Sequence, residues 1–239
     1  MGFRIFLHSL RLVFTQLGDA LRVSGLLYLV ATVISFGTFF VFPPTVVEGR
    51  LVPSWQWIPA TLMVGILYMW IAIGWHRFVL RDETTNALVP GFRGDRILAY
   101  FGRGVQVGLL MLVGLLVIML FIGISGGNPI IMVIGLLVGL SITLLVTYRL
   151  APLFPAAALG EPGGVGQAWA ATRGATWDLL LLAIICAVAT FVVDLPLEIL
   201  RGDVLVIAWS TVTGWIKLMV GVSILTAIYG VYVEKRDIA

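Results

Sequence analysis

Lys217 makes the clearest chemical demand in this 239-residue chain. It stands inside a long apolar run, 14 residues from Asp203 and 17 from Glu234. At about 1.5 Å of helical rise per residue, those charges are roughly 21 and 25 Å away. A lysine at the centre of a bilayer costs about 2.5–3.5 kcal/mol on insertion scales, so it must face protein or water. Asp194 is the candidate partner, and Ser210 shares the helical face of Lys217. The depths of Lys217 and Asp194 match if Asp178 and Glu234 mark one boundary. A short connection between the two runs opposes that match, because Asp194 then sits near the outer end of its run. Three roles compete for Lys217: a structural or water-satisfied charge, a path for a solute or proton, and a contact with a partner's acid or a lipid phosphate.

The other polar residues offer less. Asp178 and Asp194 lie near opposite ends of one run and cannot share a substrate. Asp194 and Glu198 are four apart, but Pro196 between them disturbs a common face. His76 and Arg77 end an apolar run, where they fit an interfacial anchor or a phosphate-headgroup contact. The glycine-rich stretch 160–166 lacks the lysine and spacing of a P-loop and reads as a loop. One cysteine, Cys186, and two histidines, His8 and His76, provide no Cys/His metal cluster. No Ser/His/Asp or Cys/His arrangement is assignable. The chain is therefore expected to be non-enzymatic, with no cofactor.

Composition says what must position these residues. Hydrophobic residues make up 60% of the chain and charged residues 11%, with a mean hydropathy of +1.08. Soluble domains average about 25% charged residues. Too few charges remain to cover a water-soluble globule, and the hydrophobicity excludes a disordered chain. Six apolar segments, each near the roughly 20 residues a span needs, fall at about 20–42, 57–80, 104–124, 129–151, 175–197 and 204–233. Ser125 to Pro129 breaks the charge-free stretch between the third and fourth as a tight turn. Spanning segments with continuous apolar runs are helices, because backbone in lipid must satisfy its own hydrogen bonds. The expected fold is all-α: a single transmembrane domain over 1–239, with six spans as three hairpins and short cytoplasmic interfacial helices.

Orientation follows from lysine and arginine. With six spans, 12 of these cations fall on the side of the termini, and only Arg50 and Arg201 fall opposite. The positive-inside rule then makes the first side cytoplasmic. The net charge of +3 is no sign of nucleic-acid binding. Residues 1–17 form an amphipathic helix, with Phe3, Phe6, Leu7, Leu10, Phe14 and Leu17 on one face and Arg4, His8, Arg11 and Thr15 on the other. It is expected to lie in the cytoplasmic interface as an anchor, or as a sensor of anionic lipid or a docking arm. The candidate headgroup contacts are His76, Arg77, Arg81, Arg103, Arg149 and Arg173.

Small residues mark candidate packing faces: Gly104 and Gly108, Gly135 and Gly139, and Gly214 and Gly221. Such residues let helices approach closely in lipid, within one chain or between subunits. A weak internal repeat accompanies them. Arg103-Gly104 and Arg173-Gly174 precede the third and fifth spans, while Trp75-His76-Arg77 and Thr147-Tyr148-Arg149 end the second and fourth. A shared preference of aromatics and arginine for the inner interface explains much of that pattern.

The runs Trp75 to Leu80, Tyr148 to Pro152, Ala156 to Glu161 and Ala168 to Gly174 resemble bacterial inner-membrane proteins of the YciC-like group. In layout the chain is also similar to the membrane domain that accompanies some glycerophosphodiester phosphodiesterases. The resemblance implies a bacterial six-helix inner-membrane protein and carries over no catalytic residue. The expected partners are anionic lipid headgroups and other integral membrane proteins. The expected role is a scaffold or accessory component of a membrane assembly, or of envelope lipid organisation. The alternative is a translocator of a small solute or lipid, with a polar path around Lys217.

Overall fold

The computed structural model describes residues 1–47, 50–84 and 88–238. In chain order they form α1 (Gly2–Thr15), α2 (Leu17–Val41), β1 (Thr45–Val47), β2 (Arg50–Val52), α3 (Trp57–Arg81) and α4 (Gly94–Ile124). There follow α5 (Pro129–Leu150), α6 (Leu153–Leu159), α7 (Val165–Ala171), α8 (Thr176–Ile199) and α9 (Asp203–Tyr232). Six stretches are helical, long and apolar enough to cross a membrane: α2, α3, α4, α5 continued through α6, α8 and α9. The fold is all-α and polytopic, with one small antiparallel ribbon in which Thr45 faces Val52. That ribbon links α2 to α3 and was not expected from the apolar pattern.

Local sequence explains the helix ends. The Asn128 side chain accepts the Ile130 N–H at 2.9 Å, and Pro129 takes the first helical position of α5, where its missing N–H costs nothing. Gly126 and Gly127 take positive φ in the turn before it, which side-chain-bearing residues rarely adopt. At the other face, Gly160 ends α6 with φ +81, and its N–H reaches the Ala156 carbonyl at 2.9 Å. Pro196 does not end α8, which runs on to Ile199. The largest boundary correction is α4, which begins at Gly94 rather than near 104. Its 31 residues exceed the ~30 Å apolar core of a bilayer. The first turns, with Asp95 and Arg96, continue the span as an extension on the face that carries the termini.

The three hairpins are unequal. α2 packs along α3, and α4 along α5, but α8 and α9 touch sparsely because α1 wedges against both. Gly2, Ile5, Ser9 and Val13 form the buried stripe of α1. That stripe lies between the two expected faces. Phe3, Phe14 and Leu17 stay exposed, while Phe6 and Leu10 are half-buried. The wheel therefore has three sectors: small and aliphatic residues toward the protein, aromatics on one flank, and Arg4, His8, Arg11 and Thr15 on the other. Burial and the Arg11 charge hold the His8 imidazole below its ordinary pKa of 6.5. The main core surrounds Ile71, Trp75, Met219 and Ile228 of α3 and α9, with Ile5 of α1 and Leu182 of α8.

Candidate functional site

Lys217 Nζ lies 2.7 Å from Asp194 Oδ1. The depth mismatch is bridged by the lysine stem, which reaches from mid-α9 toward the last turns of α8. Both side chains keep over a third of their surface exposed, 36% and 37%. Lys217 borders a groove of about 170 Å³ between α8 and α9. Phe6 and Leu10 of α1, Tyr148 of α5, and Cys186 and Thr190 of α8 line it with Lys217. Ser210 does not join the pair, because its hydroxyl donates to the Val206 carbonyl one turn back. Glu198 is exposed and is not part of the pair. Nearby, the Trp209 indole donates to the Val193 carbonyl at 3.1 Å and ties α9 to α8.

His76 is 0% exposed, which removes it from the headgroup contacts. Its position near a helix end suggested the interface, but the ring points into the bundle. Nδ1 is 2.7 Å from Thr226 Oγ1 of α9, and Nε2 is 3.3 Å from the Tyr100 hydroxyl of α4. Thr226 donates its own hydroxyl to the Val222 carbonyl at 2.9 Å. Thr226 Oγ1 must then accept from an Nδ1–H, and Nε2 must accept from Tyr100. One neutral tautomer satisfies the whole chain of donors. Beside it, the Trp75 indole donates to Ser223 of α9 at 2.8 Å. The Trp215 indole donates to Ser24 of α2 at 2.8 Å, and Tyr28 donates to the Thr211 carbonyl at 2.9 Å. Sequence reasoning missed Tyr100, Thr226 and Ser223, because polar residues scattered through apolar runs carry no spacing signal for a distant partner.

The arginine rim is mostly spent on the protein. Arg77, with 14% of its side chain exposed, binds the Glu83 carboxylate and the Ala158 carbonyl. That hydrogen bond outweighs the opposing effect of burial and, with the charges of Arg77, Arg93 and Arg81, holds the Glu83 carboxyl below its ordinary value. Arg81 reaches Glu161 at 2.6 Å and Glu234 at 3.7 Å. Arg103 binds the Gly163 carbonyl, and Arg149 binds the Thr176 hydroxyl and stacks 4.6 Å from the Trp169 ring. Arg236 donates to the Leu80 carbonyl at 2.9 Å, and Arg4 donates to that of Ile238. Of the proposed headgroup contacts, Arg173 alone is exposed with no side-chain bond or ion pair among the described residues. The other arginines clamp α6, α7 and the C-terminal tail across the ends of the spans.

The glycine faces divide. A Cβ on Gly139 would stand 2.6 Å from the Gly114 carbonyl oxygen and would strike Ile118. One on Gly135 would strike Phe121. Both glycines therefore serve the contact of α5 with α4, as does Gly114, which the spacing did not single out. Gly214 faces the Tyr28 hydroxyl at 2.5 Å from an added Cβ. The Gly104 and Gly108 pair makes no close approach: an added Cβ meets only Phe154 at 3.9 Å in the first case and nothing within 4 Å in the second. Gly221 is equally open and borders the groove beside Lys217.

No group of three His, Cys, Asp or Glu side chains suited to a metal occurs among the described residues. No family model, curated protein or solved structure matches the chain. The six apolar helices define its class: it is a multi-pass integral membrane protein.

Proposed function

We propose that this protein is a non-enzymatic component of a bacterial inner membrane, with both termini in the cytoplasm, similar to the YciC-like proteins. It acts as a scaffold or accessory partner of a larger membrane assembly, or in the organisation of envelope lipids. The observation that carries this reading is the clamped cap. Arg77, Arg81, Arg103, Arg149 and Arg236 spend their charges fastening short helices and the tail to the span ends. A surface held this rigidly suits a platform better than a gate. The 12-to-2 distribution of cations supports a cytoplasmic cap. The sectors of α1 support an in-plane helix with aromatics in lipid and Arg4 and Arg11 in water. Gentle extraction from the native membrane followed by native mass spectrometry is expected to return a particle carrying lipid or a second membrane protein. A bare monomer would count against the proposal.

A second reading, translocation, rests on the groove that reaches Lys217 between α8 and α9. The native Cys186 lines the same groove and is the one cysteine of the chain, so it reports whether water fills it. In intact proteoliposomes the scaffold reading expects Cys186 to resist a membrane-impermeant maleimide and to react with a permeant one. Rapid labelling by the impermeant reagent would shift the assignment to translocation.

A further inference from the structure

A second pocket opens on the face of the termini, between α6, α7 and the last turn of α9. Its volume is about 370 Å³, within the roughly 300–1,000 Å³ range of small-molecule sites. Leu153 and Ala156 of α6, Ala168 and Ala171 of α7, and Tyr229 and Val233 form apolar walls, and Lys235 and Gln167 stand among them as polar groups. Lys235 adopts φ +58, a conformation uncommon outside glycine. The turn that holds it there is closed by the Glu234 N–H on the Tyr229 carbonyl at 3.2 Å and the Arg236 N–H on the Gly230 carbonyl at 2.9 Å.

The charge around this pocket is unbalanced. Lys235 is exposed and has no ion pair among the described residues. The acids next to the walls are already engaged: Glu161 by Arg81, and Glu234 by Arg81 and Arg236. Asp237 lines a different pocket with His8 and Arg236. Arg103 is anchored on the carbonyl of Gly163, a wall residue, and the unpaired Arg173 follows Ala171 by two positions. An apolar cleft with one unpaired lysine at its mouth, walled by Tyr229 near the end of α9, matches an amphiphile with an anionic head and an oily tail.

We infer that this pocket seats one anionic phospholipid, its phosphate on Lys235 and the first part of one acyl chain along Leu153, Ala156 and Val233. The inference rests on the reading of the chain as a lipid-organising membrane protein and assigns that role a place. The test uses the full chain in nanodiscs of equal phosphatidylcholine and phosphatidylglycerol, with native mass spectrometry of the lipids retained on release. Wild type is expected to hold one phosphatidylglycerol in preference to phosphatidylcholine. Lys235→Gln, at an exposed helix end, removes one headgroup charge and is expected to lower that occupancy about fivefold. Ala156→Trp fills the apolar wall without changing charge and is expected to abolish it. Equal retention of the two lipids by wild type, or unchanged occupancy in Lys235→Gln, overturns the inference. A non-selective lipid shell that neither variant alters defeats this site and leaves the scaffold proposal standing. A lipid-free, partner-free wild type defeats both.

Discussion

Replacing Gly139 with leucine is expected to destabilise the protein by about 3 kcal/mol, the upper part of the usual cost of overpacking. The reason is local. The position of a Cβ on Gly139 is 2.6 Å from the Gly114 carbonyl oxygen, a backbone atom that cannot swing aside. Ile118 crowds the same point. Helices α4 and α5 would have to separate along the contact that holds the hairpin together. Gly108→Leu is the control, because nothing lies within 4 Å of its added Cβ. That change should stay within about 0.5 kcal/mol of wild type, as open surface substitutions do. Unfolding in mixed detergent micelles, followed by tryptophan fluorescence, measures both. Equal stabilities for the two variants would mean that α4 and α5 do not meet through Gly114 and Gly139.

His76→Leu is expected to cost about 2–3 kcal/mol. The imidazole is fully buried and serves two helices at once, Tyr100 on α4 and Thr226 on α9. A leucine of similar bulk fills the space but leaves the Tyr100 hydroxyl without its acceptor, and an unsatisfied buried group costs roughly 1–3 kcal/mol. Thr226 loses a donor and keeps its bond to the Val222 carbonyl. Tyr100→Phe should therefore recover part of the loss when added to His76→Leu, the coupling expected of residues in one network. Nitrogen NMR of the wild-type ring should show the proton on Nδ1. A ring protonated on Nε2, or strict additivity in the double variant, would break the proposed order of donors.

Much of the architecture was legible in the chain. The run lengths and the turn at Ser125 to Pro129 count six spans, and the described residues hold six helical stretches of that kind. The three-residue strands around Thr45 and Arg50 escaped notice, because they are too short to leave a period. The start of α4 was placed late because Asp95, Arg96 and Arg103 look like loop charges, although a helix can carry them beyond the apolar core. The candidate sites were harder. Type and depth single out Lys217, and a matching distance from Asp178 singles out Asp194. Their 2.7 Å approach depends on the relative height of α8 and α9, which the sequence does not state. The place of His76 beside Arg77 at the end of an apolar run points to the interface, yet its side chain turns inward.

Hydropathy by itself determined that this chain belongs in a bilayer and how many of its segments are apolar enough to cross one. Those properties follow from transferring side chains out of water, and each residue contributes according to its type. Tertiary structure alone decided which flank of α1 meets the bundle, why Gly139 matters and Gly108 does not, and which arginines are consumed by carbonyls and carboxylates. The physical reason lies in the solvent. Lipid tails are as apolar as a leucine core, so burial against protein and exposure to lipid leave the same mark on a sequence. Shape and directed hydrogen bonds separate the two, and both exist only once the helices are assembled.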